Sequence, residues 1–199
     1  MPRLAREPML FPEDLFTRVQ PSTTASASWI VLYTRARAEK ALARSLYRHQ
    51  HRFFLPLYEK GVRVAGRIRR AYLPIFPGYV FLYGGAQERL AALETNCVSR
   101  CIAVHAQDEL QRDLARVFHL ITTGLPLVPE PCLEPGTLVE VTGGVMEGLQ
   151  GRILRRGGQL RLVIEVHLLQ QAVSVEIDEH LVRRVDDRRS AARAFVSAG

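Results

Sequence analysis

Residues Tyr72 to Tyr83 read YLPIFPGYVFLY. Aromatic and branched side chains at this density favour a strand. Two prolines, Pro74 and Pro77, and a glycine, Gly78, interrupt the run. A central strand excludes proline, which has no N–H to give to the ladder. The run therefore breaks at Pro77-Gly78, a tight corner after which a new strand begins at Tyr79. On that strand Tyr79 and Phe81 share one face, and Val80 and Leu82 the other. Both faces are apolar. Either helices cover both, or one aromatic face is left for a partner. Tyr33 and Phe54, on neighbouring strands, extend such a face.

Upstream of this corner, WIVLYT (residues 29–34) is a short apolar strand. In RARAEKALARSLYRHQ (35–50), Ala38, Ala41, Leu42, Ser45 and Leu46 fall on one helical stripe, with Arg37, Arg44 and Arg48 elsewhere. FFLPLYE (53–59) reads as a strand. KGVRVAGRIRR (60–70) carries Lys60, Arg63, Arg67, Arg69 and Arg70 with two glycines, which makes it a long basic hairpin connection. Such a loop suits contact with a phosphate backbone without base readout. Arg35, Arg44 and Arg48 add a second basic surface along the first helix.

Downstream, AQERLAALET (86–95) is a short helix and VSRCIAV (98–104) a strand. The clearest helix is DELQRDLARVFHLI (108–121). There Leu110, Leu114, Val117, Phe118 and Ile121 form an apolar stripe, and Asp108 and Glu109 sit where the helix dipole favours anions.

The composition then shifts. TTGLPLVPEPCLEPG (122–136) holds four prolines, a linker signature. Beyond it Leu160, Leu162, Ile164 and Val166 alternate with Arg161, Val163 and Glu165, and Val173, Val175 and Ile177 alternate with Ser174 and Glu176. Period-two patterning with glycine-rich turns predicts a small β-barrel. The expected layout is a disordered tail at 1–27, an α/β domain at 28–123, a linker at 124–134, the barrel domain at 135–186 and a disordered tail at 187–199.

The net charge of +7, largely from arginine, points to an anionic partner such as nucleic acid. Three irregularly placed cysteines, Cys97, Cys101 and Cys132, predict a reducing compartment with no disulfide framework and no metal site. No apolar run is long enough to span a membrane, and the charged, proline-containing N-terminus is not a secretion signal. A cytoplasmic monomer is expected. The histidines are scattered, and neither a nucleophile elbow, a zinc-protease motif nor a phosphate-cradling glycine loop is present. The reading is a binding protein, not an enzyme, with no cofactor.

The order of WIVLYT, helix, FFLP, basic hairpin, FPGYVF, linker and PGTLVEVTGGVMEGLQGRI resembles the NusG family of transcription elongation factors over residues 28–186. The resemblance implies an α+β fold: an N-terminal α/β sandwich around a four-stranded antiparallel sheet, plus a five-stranded SH3-like β-barrel, the KOW domain. It implies that Tyr33, Phe54, Phe76, Pro77, Tyr79 and Phe81 line a pocket for the clamp helices of RNA polymerase. Docking there would favour a closed clamp and processive transcription. Arg35, Arg44, Arg48, Arg63, Arg67, Arg69 and Arg70 would lie against upstream or non-template DNA. Gly144, Met146, Gly151, Leu168 and Leu169 would form the KOW turn and partner surface, with a ribosomal protein as partner. Gly144-Val145-Met146 and Leu168-Leu169-Gln170 stand where the family has aromatic motifs. That departure argues against recruitment of Rho and is similar to the RfaH-type specialised antiterminators. Two other readings stay open: a general elongation factor, and a KOW-bearing ribosome- or RNA-binding protein.

Overall fold

The computed structural model describes residues 8–18, 27–64, 67–130 and 136–185, with the side chains of 18 and 62–69 outside that description. It is an α+β protein with an N-terminal antiparallel sheet and a C-terminal β-rich domain. The N-terminal sheet has the order β1-β3-β6-β2-β7, formed by β1 (Leu10–Phe11), β2 (Ser28–Thr34), β3 (Arg52–Phe54), β6 (Tyr79–Gly84) and β7 (Val98–Ala103). Four strands were expected. The fifth, β1, comes from the segment expected to be a disordered tail. Its register with β3, Leu10 opposite Phe54 and Phe11 opposite Phe53, covers an otherwise open sheet edge.

Both faces of the sheet are covered. On one, Leu32, Val80, Leu82 and Phe53 pack under Leu42, Ala43 and Leu46 of α2 (Glu39–Arg48) and Ala92 of α3 (Ala86–Glu94). On the other, Trp29, Val31, Phe54, Phe81 and Tyr83 pack under Leu110, Leu114 and Val117 of α4 (Gln107–Thr122). Leu15, on the single-turn helix α1 (Leu15–Arg18), is fully buried in this second layer. The strict alternation along β2 and β6 dictates this division, since neighbouring side chains point to opposite faces.

Helix α4 is placed by two glutamines. Strand β7 ends opposite Ile30, which leaves the main chain of Trp29 without a neighbour on that side. Gln107 takes the strand's place: its Oε1 accepts from the Trp29 N–H at 2.7 Å, and its Nε2 donates to the Trp29 carbonyl at 3.0 Å. One turn on, Gln111 Oε1 accepts the indole N–H of Trp29 at 2.6 Å. A buried indole N–H finds a partner in this way.

The basic segment forms the expected hairpin, with regularly paired arms. β4 (Leu57–Val64) pairs with β5 (Arg67–Pro74) from Leu57 opposite Pro74 to Val64 opposite Arg67. The tip residues 65 and 66 lie outside the described residues.

The C-terminal sheet has six strands in the order β13-β9-β10-β11-β12-β8: β8 (Val128–Glu130), β9 (Thr137–Val141), β10 (Gln150–Arg156), β11 (Gln159–Val166), β12 (Gln171–Glu176) and β13 (Val182–Arg184). Five were expected. The sixth, β8, belongs to the stretch read as a linker, and its Pro129 is tolerated because β8 is an edge strand. Residues 131–135 and the C-terminal tail from 186 lie outside the described residues. Glu130 is buried at 6% exposure, where it accepts from Ser174 Oγ at 2.8 Å and pairs with Arg156 at 2.8 Å. Such a buried charge survives only with partners of this kind.

Helix α4 also bears on the C-terminal domain. The main-chain N–H of His167 donates to Asp113 Oδ2 at 3.1 Å, and His167 Nδ1 lies 2.9 Å from the same oxygen. Asp113 is 2% exposed. No helix among the described residues is long and apolar enough to cross a membrane.

Candidate protein-binding site

The corner Phe76-Pro77-Gly78-Tyr79 closes with a hydrogen bond from the Tyr79 N–H to the Phe76 carbonyl at 3.2 Å. Gly78 has φ +85°. Proline at the second position fixes a negative φ, and glycine at the third supplies the positive φ of a type II turn. The turn is gripped from both sides. The Gly78 N–H donates to Glu39 Oε1 at 2.7 Å, and the Gly78 carbonyl accepts from the Thr34 N–H at 2.8 Å. Glu39 is 8% exposed, so this acceptor is largely shielded from water.

The turn sets Tyr79 opposite Tyr33. Their ring centroids lie 5.2 Å apart, tilted by 60°. A Cβ placed on Gly78 would come within 3.0 Å of Tyr33 Cε2, so the glycine also makes room for the ring. Arg100, the β7 neighbour of Tyr33, holds its guanidinium carbon 5.2 Å from the Tyr33 centroid. Both tyrosines are half-buried and Pro77 is exposed. The result is a rigid corner with two amphipathic rings, an exposed proline and a cation. It can offer apolar contact and hydroxyl hydrogen bonds to a protein surface. Among the described residues no group of three or more His, Cys, Asp or Glu could hold a metal ion.

Of the six aromatic and proline residues expected to line an open face, Tyr33, Pro77 and Tyr79 come together at this corner. Phe54, Phe76 and Phe81 do not remain accessible: they are 0%, 1% and 0% exposed. The face expected to await a partner is capped by the chain's own rings. Phe16 meets Phe54 edge-on at 5.1 Å, and Phe118 meets Phe54 edge-on at 6.0 Å. Phe76 and Phe81 pack against each other at 6.3 Å.

The basic residues whose side chains are described lie in three places: just beyond β2, on α2 and on the β4–β5 hairpin. Arg35 is exposed just beyond Tyr33, its N–H bonded to the Cys97 carbonyl at 2.8 Å. Arg44 and Arg48 are exposed on α2, which covers the opposite side of the sheet. Arg70, on the hairpin, pairs with Glu59 at 3.2 Å. The side chains of Arg63, Arg67 and Arg69 lie outside the described residues.

In the C-terminal domain, Gly144 lies in an exposed turn with φ +79°, and Leu168 is 41% exposed. Met146, expected on the partner surface, turns inward to 5% exposure, and its neighbour Val145 is outward at 64%. Gly151 is buried where a Cβ would stand 2.6 Å from the Val163 carbonyl oxygen, so it serves close strand packing. Leu169 is half-buried.

Glu39, Arg100 and Phe16 belong to the site's architecture and were not singled out from sequence; Phe118 was placed on the apolar stripe of its helix, but not against Phe54. For Phe16 the signal was present: Pro12-Glu13-Asp14 before Leu15-Phe16 is a helix-start pattern followed by an apolar pair.

Residues 27–113 match the NusG family, described as transcription termination factor nusG. That segment contains Tyr33, Glu39, Pro77, Gly78, Tyr79 and Arg100. No curated protein matches the chain. A solved structure described as "Domain interaction in Thermotoga maritima NusG" aligns at 16% sequence identity with a TM-score of 0.45, covering 80% of this chain and 98% of that one.

Proposed function

We propose that the protein is a NusG-like transcription elongation factor that docks on RNA polymerase through the Tyr33–Tyr79 corner. One observation carries this reading: a corner fixed by Glu39, Pro77 and Gly78 holds two half-buried tyrosines 5.2 Å apart at the end of the sheet. Aromatic side chains that pair an apolar body with a polar tip are favoured at protein interfaces. The family match over residues 27–113 supports polymerase as the partner. The site acts by differential binding: a factor that prefers the closed clamp raises processivity without chemistry.

In this reading the β4–β5 hairpin, with Lys60, Arg63, Arg67, Arg69 and Arg70, lies along upstream or non-template DNA. The C-terminal domain recruits a second protein through the rim that exposes Val145 and Leu168. Aliphatic side chains there, in place of aromatic ones, support a specialised antiterminator acting on selected operons over a general factor that recruits Rho.

Single-round transcription with purified polymerase tests the function. Added protein is expected to shorten pauses and lengthen transcripts; pause lifetimes that do not respond would refute it. Genome-wide occupancy tests the specialisation: signal on a few operons is expected, and uniform signal on all transcribed genes favours the general factor.

A further inference from the structure

His167 stands where α4 meets the C-terminal domain, in the single turn His167–Leu169 between β11 and β12. Both of its ring nitrogens face carboxylates. Nδ1 lies 2.9 Å from Asp113 Oδ2 and 4.0 Å from Glu109 Oε1, both on α4. Nε2 lies 3.2 Å from Glu165 Oε2, on β11. Two arginines stand behind these acids. Arg116 of α4 lies 3.6 Å from Asp113 Oδ1, and Arg152 of β10 lies 3.7 Å from Glu165 Oε1. Each arginine takes the oxygen that His167 does not use. The histidine side chain is 47% exposed, so it stays in proton exchange with water.

A neutral imidazole donates from one nitrogen and carries a lone pair on the other. Whichever tautomer it adopts, the neutral ring turns that lone pair on a carboxylate oxygen, at 2.9 Å or at 3.2 Å. The imidazolium donates from both nitrogens and satisfies Asp113 and Glu165 together. Its bonds are charge-assisted, and its charge stands among three carboxylates drawn from both domains.

We propose that His167 is a proton-sensitive clasp between α4 and the C-terminal domain. Protonated, the ring bridges Asp113 to Glu165 and draws the domain onto the helix. Deprotonated, it loses one of the two bonds, and Glu165 is left facing Glu109 and Asp113 with less positive charge between them. The bond from the His167 main-chain N–H to Asp113, at 3.1 Å, does not need the ring proton, so the contact loosens without coming apart. By linkage, a contact that favours the protonated ring is firmest on the acid side of the histidine range and weakens as pH rises through it. The clasp does not depend on which protein the Tyr33–Tyr79 corner binds.

Hydrogen exchange on the full chain tests this, with wild type, His167→Gln and Glu165→Gln at pH ~5.5 and pH ~8, either side of the histidine range. Rates are read as protection factors, which removes the intrinsic pH dependence of exchange. In the wild type, protection at residues 165–169 relative to β2 and β6 is expected to fall about tenfold from the lower pH to the higher, the scale of one charge-assisted hydrogen bond. His167→Gln keeps a polar side chain that takes up no proton, and its protection is expected to stay level. Level protection in the wild type overturns the clasp. So does an equal fall in His167→Gln, which would place the pH dependence on another group. Glu165→Gln neutralises one end of the bridge, and its fall is expected to be smaller than that of the wild type; a fall as large overturns the two-ended bridge. Should His167→Gln not fold, the wild type and Glu165→Gln decide between these outcomes.

Discussion

Glu39 and Gly78, 39 residues apart in sequence, are joined by a 2.7 Å hydrogen bond from the glycine N–H to the glutamate carboxylate. Through it the first turn of α2 fixes the corner that aims Tyr79. The side chain is largely buried, so removing the acceptor leaves an N–H without a partner. Glu39→Ala is expected to cost about 1–3 kcal/mol and to loosen the turn, whereas Glu39→Gln, which keeps an oxygen acceptor, costs less. Urea denaturation midpoints of the two variants check the order.

Asp113 makes a parallel link between α4 and the C-terminal domain. It accepts from the His167 main chain at 3.1 Å while 2% exposed. Asp113→Ala is expected to destabilise by roughly 1–3 kcal/mol and to loosen the contact between α4 and the His167 turn. Faster hydrogen exchange at residues 165–169, with β2 and β6 unaffected, is the expected signature.

Glu88 sets an acid-side dependence. Its carboxylate accepts the Gly85 N–H at 2.8 Å at the start of α3, and this bond holds its pKa below the usual glutamate value. A depressed folded-state pKa gives stability that is complete above the unfolded-chain value and is lost as pH falls through the folded one. Between neutral pH and pH ~5, near the top of the glutamate range, Glu88 therefore contributes no slope. Below that, thermal melting of the wild type is expected to fall more steeply with acid than that of Glu88→Gln.

The basic hairpin makes a separable electrostatic claim. Neutralising Arg67, Arg69 and Arg70 together is expected to lower the slope of log affinity against log salt for DNA-containing elongation complexes by up to about 3, close to one per lost phosphate contact. Titration at several salt concentrations measures it, and an unchanged slope removes the hairpin from the DNA.

The elements were legible where one periodicity ruled. Alternation along Tyr79–Leu82 gave the two faces of the sheet, and the Pro77-Gly78 break gave the start of β6. The stripe on α4 was legible too, but it accounts for one side of a helix packed on two. Asp113 and Leu120 are buried because the C-terminal domain covers the other side, and local spacing holds no record of that contact. The open aromatic face was misjudged for a related reason. Its cover, Leu15-Phe16, lies in a stretch whose average composition reads as tail, and two apolar residues in a polar surrounding carry little weight until the rings they meet are known. The Glu39–Gly78 bond is long-range, and a glutamate in the first turn of a helix reads equally well as a solvated dipole partner.

The most direct test of the docking site is the affinity of purified core RNA polymerase for wild type, Tyr79→Ala and Phe81→Ala. Tyr79 is half-buried at the corner, so its alanine variant is expected to remain folded and to lose at least about 2 kcal/mol of binding, the scale of an interface hot spot. Phe81 is fully buried, so its alanine variant is expected to lose about 3–5 kcal/mol of stability instead. A folded Tyr79→Ala protein that binds polymerase as tightly as wild type would contradict the account.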